Sequence, residues 1–126
     1  IGTKPDGKPW TAGVENPWGD DPAYIQAVEL ADGDSLVISG DYQRYFEYDG
    51  VRYAHLIDLT TGYPARYVSS VAVLARDDTG GLADALSTGL FCLPEETGQA
   101  LAAQNHYAVL WMHPGETTSR SADWPQ

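Results

Sequence analysis

The chain has 126 residues, is 43% hydrophobic, and carries one cysteine and a formal net charge of −11 at pH 7. That composition suits one domain with a packed core and excludes a disordered chain. The charge excludes capture of nucleic acid or anionic membrane by bulk electrostatics, and the lone Cys92 excludes an internal disulfide.

No apolar run approaches the ~20 residues of a membrane span, and no signal peptide is visible. The chain opens Ile1-Gly-Thr-Lys-Pro without a methionine. It therefore reads as a processed piece or a remnant, with any targeting segment expected upstream.

Residues 1–23 hold a strand from about Trp10 to Val14, then a long loop. Tyr24–Leu30 and Ser35–Ser39 read as strands joined by Asp32-Gly33, and Tyr42–Tyr48 and Val51–Ile57 as strands joined by Asp49-Gly50. Asp-Gly between two strand-like runs signals a type I′ hairpin, in which both turn residues take positive φ. The expectation is an antiparallel meander. After the turn Thr60–Pro64, Tyr67–Ala75 is rich in β-branched residues and reads as a buried strand. Asp77–Gly81 is a loop. Leu82–Leu93 has helical spacing, with Leu82, Leu86, Leu90 and Leu93 on one face. A second helix starts at Pro94-Glu-Glu, where acids suit the helix dipole, and runs to about Gln104. His106–Met112 is a final strand and the tail after Pro114 is polar. The class is α+β: an antiparallel sheet with two helices inserted before the last strand or strands.

Two segments carry chemistry. Asp84 and Thr88 are four residues apart on the first helix, so a carboxylate and a hydroxyl lie one above the other. Two hard oxygens so placed suit Mg²⁺, which takes few protein carboxylates and keeps water and phosphate as its other ligands. Gly80-Gly81 just before them frees backbone N–H groups to face an anion. The same pair also suits an ordinary amphipathic helix, although a carboxylate among Ala, Leu, Ser and Gly wants a partner. His55 ends an apolar strand and is the natural base for taking a proton from a hydroxyl; a hydrogen-bonded structural histidine fits the position too. His106 and His113 read as structural, the three scattered histidines give no zinc spacing, and Cys92 reads as a buried, inert thiol. In Ser39-Gly40-Asp41-Tyr42, the glycine permits a bulge or the close approach of a ligand. Arg44 and Tyr45 beyond it could pair with an aspartate or stack on a ring.

Four segments in this order resemble the ApbE-type flavin transferases: Trp10–Pro17, Ser39–Tyr42, His55–Asp58 with Thr61-Gly-Tyr-Pro64, and Ala83–Thr88. The resemblance covers roughly residues 8 to 112. It implies a T-fold-like half of such a protein and the transfer of FMN from FAD to a threonine hydroxyl of a target protein, with Mg²⁺ and release of AMP. By position it assigns Asp84 and Thr88 to the metal and His55 to the reacting phosphate. Ser39, Gly40 and Asp41, with His55, Asp58 and Thr61, fall to the FAD pocket. Leu59-Thr60 departs from the Pro-Arg usual there, a change that bears on turn stiffness or a phosphate contact. The resemblance also implies that this is the C-terminal half and that the N-terminal half is a second chain. It implies a lipid-anchored protein on the periplasmic side, with a cytoplasmic location as the alternative. FAD pyrophosphate hydrolysis and a non-catalytic flavin-binding or structural half are the competing functions.

Overall fold

The computed structural model describes residues 2–76 and 80–126; of the expected loop at 77–81, residues 77–79 lie outside this range. In chain order the elements are β1 (Trp10–Glu15), β2 (Tyr24–Leu30), β3 (Ser35–Gly40), β4 (Tyr45–Tyr48), β5 (Val51–Ala54), β6 (Ile57–Asp58), β7 (Tyr63–Pro64), β8 (Ser70–Ala75), α1 (Gly80–Phe91), α2 (Glu95–Asn105), β9 (Ala108–His113) and β10 (Thr117–Arg120). The α+β class and the antiparallel pairing are as expected.

The centre is a four-stranded sheet in the order β10-β9-β8-β3. Strand β8 is apolar on both faces because both are covered. Val71 and Val73, with Val109 and Trp111 of β9, face one core, which also takes Ala83, Leu90 and Phe91 of α1 and Ala102 of α2. Ala72 and Leu74, with Leu110 and Met112, face a second core closed by Val14, Val28, Leu30 and Trp124. The domain is thus three layers: helices, sheet, and the β1–β2 ribbon. Period-two side-chain alternation assigns alternate residues of each central strand to opposite cores.

Strand pairing departs from a single meander. At Asp49-Gly50 both φ values are positive, 51° and 71°, and β4 and β5 form the expected hairpin. Of Asp32 and Gly33 only Gly33 is positive, at 82°. That pattern matches a type II turn, which does not carry the twist of a tight hairpin. Asp34 locks this corner. Its buried carboxylate accepts the Ala31 N–H at 2.8 Å and pairs with Arg76. Strand β2 therefore pairs with β1, and β3 crosses to pair with β8.

The helices start and stop close to expectation, but the buried face of α1 is Ala83, Ser87, Leu90 and Phe91. Leu82 remains half exposed. Small residues at 83 and 87 let the helix approach the sheet closely, and that overrides the leucine stripe. The polar tail contains an unforeseen edge strand, β10, paired with β9 through a turn at residues 114–116. Its polar sequence follows from its place at the sheet edge.

Gly98 of α2 is buried against Leu90 and Trp111, and a Cβ there would lie 3.4 Å from Leu90 Cδ2 and 3.5 Å from Trp111 Nε1. These are ordinary contact distances. Gly98→Ala is expected to stabilise the fold by about 0.5–1 kcal/mol through helix propensity. A lowered midpoint in urea unfolding would show that the packing does not admit the methyl group.

Candidate functional site

Helix α1 lies beside the end of β3, where the sheet edge meets the loop leading to β4. A pocket of about 310 Å³ opens there, lined by Ile38, Ser39, Gly40, Gln43, Arg44, His55, Leu56, Asp84 and Thr88. Five of the candidate residues, from three separated segments, thus share one hollow: Ser39, Gly40, His55, Asp84 and Thr88.

Asp84 and Thr88 are both exposed on the outer side of α1. Among the described residues no side chain pairs with the Asp84 carboxylate. Ser39 Oγ lies 3.4 Å from Thr88 Oγ1 and 2.8 Å from Ser87 Oγ. One carboxylate and two neighbouring hydroxyls form a hard-oxygen set. The described residues hold no group of three or more His, Cys, Asp or Glu placed around a metal. The oxygen set fits a hard divalent ion that keeps most of its ligands as water or phosphate, and does not fit zinc.

His55 is held by the backbone of Arg44. Its main-chain N–H and its ring Nδ1 both lie 3.2 Å from the Arg44 carbonyl. A carbonyl can only accept, so Nδ1 carries the proton in this bond and Nε2 of the neutral ring is left with the lone pair. The ring is exposed.

Gly40 makes the wall. A Cβ at this position would stand 2.4 Å from Tyr42 Cε1 and 3.3 Å from the Ser69 carbonyl. The Tyr42 ring lies across the glycine, and its hydroxyl donates to Glu15 Oε2 at 2.9 Å, as does Gln43 Nε2 at 2.8 Å. Burial, with Glu15 beside it, pushes the Tyr42 phenol well above its usual range.

Three candidates lie outside this pocket. Asp41 faces a neighbouring hollow of about 320 Å³ with Arg52 and Arg66. It pairs with Arg52 at 3.5 Å; burial raises its carboxyl above the usual value, and the guanidinium opposes the shift. Arg52, not Arg44, also stacks over Tyr45, at 4.3 Å. Asp58 and Thr61 line a hollow of about 610 Å³ with Tyr53, Tyr63, Arg66 and Tyr67. There Asp58 Oδ1 accepts the Thr60 N–H at 2.8 Å and the Thr60 hydroxyl at 2.7 Å, while Oδ2 accepts the Tyr67 hydroxyl at 3.1 Å. Both carboxylate oxygens are therefore engaged in bracing the turn, and Thr60, at the position that departs from Pro-Arg, supplies two of the three bonds. Gln43 and Leu56 were not visible as pocket residues in the sequence, because the bend at 41–44 that carries Gln43 follows no period.

The ApbE family model matches residues 1–111. The FAD:protein FMN transferase of Vibrio cholerae is 44% identical over 110 residues, 86% of this chain and 32% of that protein. The corresponding protein of Haemophilus influenzae is 42% identical over 105 residues, 82% of this chain and 30% of that protein. The crystal structure of the ApbE protein of Thermotoga maritima superposes with a TM-score of 0.83 at 42% identity, covering 97% of this chain and 39% of that one. The chain belongs to the ApbE family. It spans about a third of the length of these curated relatives.

The bonds from Thr60, the largest influence, and from Tyr67 hold the Asp58 carboxyl below its ordinary value of 3.8. A lowered folded-state value means stability that is present above the unfolded carboxylate range and lost as pH falls through the folded one. Asp58→Asn is therefore expected to lower the melting temperature at pH 7, with the gap to wild type closing as pH drops below about 4. A gap that stays constant down to pH 2 would remove the role.

Proposed function

We propose that this chain supplies the phosphate-side portion of a flavin-transfer site, moving FMN from FAD to a threonine hydroxyl of an acceptor protein and releasing AMP. The observation that carries this reading is the single pocket shared by His55, Ser39-Gly40, Asp84 and Thr88, in a chain whose relatives are named FAD:protein FMN transferases.

The acceptor oxygen forms a bond to the FMN phosphorus while the pyrophosphate bridge breaks, and AMP leaves with the bridging oxygen. The threonine proton goes to His55 Nε2, since Nδ1 is already committed to the Arg44 carbonyl. Asp84 and Thr88 would hold Mg²⁺, which when bound neutralises diphosphate charge and eases departure of the leaving group. Gly40, having no side chain, lets the Tyr42 ring pack across the backbone and so shapes the wall of the pocket. Arg44, which also lines the pocket, offers a guanidinium to a phosphate oxygen. The remaining walls would come from the rest of the family's length, as a second chain or a preceding segment, and a periplasmic, lipid-anchored setting follows from the resemblance alone.

The test reconstitutes the chain with a polypeptide supplying the rest of the family's length, FAD, Mg²⁺ and an acceptor carrying a target threonine. His55→Ala should slow protein flavinylation by about 10²–10⁴-fold while FAD affinity stays the same. Asp84→Ala should abolish the dependence on Mg²⁺. Wild-type rates from His55→Ala would remove its role as base, and unchanged metal dependence in Asp84→Ala would end the metal assignment. AMP release without flavin on the acceptor would favour the hydrolytic alternative.

A further inference from the structure

A line of hydroxyls runs from the pocket into the core. Ser87 is fully buried, and its Oγ lies 2.9 Å from the backbone carbonyl of Asp84 and 2.8 Å from Ser39 Oγ. Ser39 Oγ in turn lies 3.4 Å from Thr88 Oγ1, at the pocket lining. The direction of the protons follows from one fact: a carbonyl only accepts. Ser87 donates its single proton to the Asp84 carbonyl, so its oxygen must accept from Ser39. The Ser39 proton is thereby directed inward, and its oxygen is left to accept from Thr88. The chain of donation is Thr88 to Ser39 to Ser87 to the Asp84 carbonyl, and each bond polarises the next.

This arrangement sets the orientation of the Thr88 hydroxyl. A helical threonine commonly donates back to the carbonyl four residues earlier. Here that carbonyl belongs to Asp84 and already receives Ser87 Oγ. With its proton drawn to Ser39, Thr88 Oγ1 keeps its lone pairs for another ligand. A hydroxyl that ligates a cation must present a lone pair and send its proton elsewhere.

We propose that Ser39 and Ser87 are positioning residues that pre-orient the Thr88 hydroxyl for a divalent cation shared with Asp84. The proposal rests on the cation reading of Asp84 and Thr88 given above. Ligation would make the Thr88 proton more acidic and strengthen its bond to Ser39, so the chain and the cation reinforce each other.

The experiment titrates Mn²⁺ into the chain, read by electron paramagnetic resonance of the free ion, with melting temperatures taken in EDTA as a separate measure of fold. Ser39→Ala and Ser87→Ala are expected to weaken Mn²⁺ binding by about three- to tenfold, the worth of one neutral hydrogen bond. Ser39→Thr, which retains the hydroxyl, should bind as wild type, and Asp84→Ala should lose binding. If wild type and Asp84→Ala bind alike, or wild type fails to bind, the cation reading falls and the proposal with it. If Asp84→Ala loses binding while both serine variants bind as wild type, the cation reading stands and the positioning role is overturned. Should Ser87→Ala unfold, the comparison of Ser39→Ala with Ser39→Thr decides: equal affinities overturn the role.

Discussion

The packing of α1 against β3 and β8 is the contact on which the rest of the structure depends. Ala83, Ser87, Leu90 and Phe91 face inward, and with that face committed the helix has no rotational freedom. Asp84 and Thr88, each one residue beyond a buried position, are then forced to the outer side. Rotation of the helix to bury Leu82 instead would carry Asp84 and Thr88 away from Ser39. Ser39 is fixed independently, because β3 is paired residue by residue with β8 from Ser35–Ala75 to Gly40–Ser70. The distance between the Ser39 and Thr88 hydroxyls is therefore a consequence of core packing, which places polar groups more reproducibly than a loop does.

The third corner of the site is held more lightly. His55 reaches the pocket through two bonds to one carbonyl, that of Arg44, at the base of the β4–β5 hairpin. That hairpin pairs only with itself among the described strands, and β4 is exposed along its length. In the proposed reading, a metal-binding side would need fixed ligands, whereas a base meeting an incoming protein hydroxyl would have to stand where a partner can reach it. The rigid helix edge and the exposed imidazole suit these two different demands.

The elements legible in the sequence were those whose signals are local. Asp49-Gly50 closes a hairpin because both residues tolerate positive φ, and β8 announced its burial through Val71, Val73 and Leu74. The signals that misled were those with two physical outcomes. Asp32-Gly33 has the same letters as the true hairpin turn, yet Asp34 and Arg76 bind that corner into a crossover, and Arg76 is 42 residues away. The leucine stripe of α1 lost to a small-residue face because helix-to-sheet distance depends on the partner surface, which no window of sequence contains. Asp84, Thr88 and His55 could be nominated from residue type and spacing. Ser87 could not, since its importance lies in a bond to a serine 48 residues away.

Charge gives the physical reason why the proposed site would call for an added cation. The pocket contributes one negative group, Asp84, and one positive group, Arg44, in a chain of net charge −11. A diphosphate brings about two further negative charges, so the pair of phosphates would face the Asp84 carboxylate with only one guanidinium to offset it. Two like unit charges about 4 Å apart at an effective dielectric of about 20 repel by roughly 4 kcal/mol. A divalent ion, held by Asp84 and Thr88 as proposed, would cancel the excess and make Asp84 an anchor instead of an obstacle. A carboxylate at the mouth of a phosphate pocket is thus costly by itself and useful with a metal, and that asymmetry favours the cation reading over a bare anion site formed by Gly80-Gly81 alone.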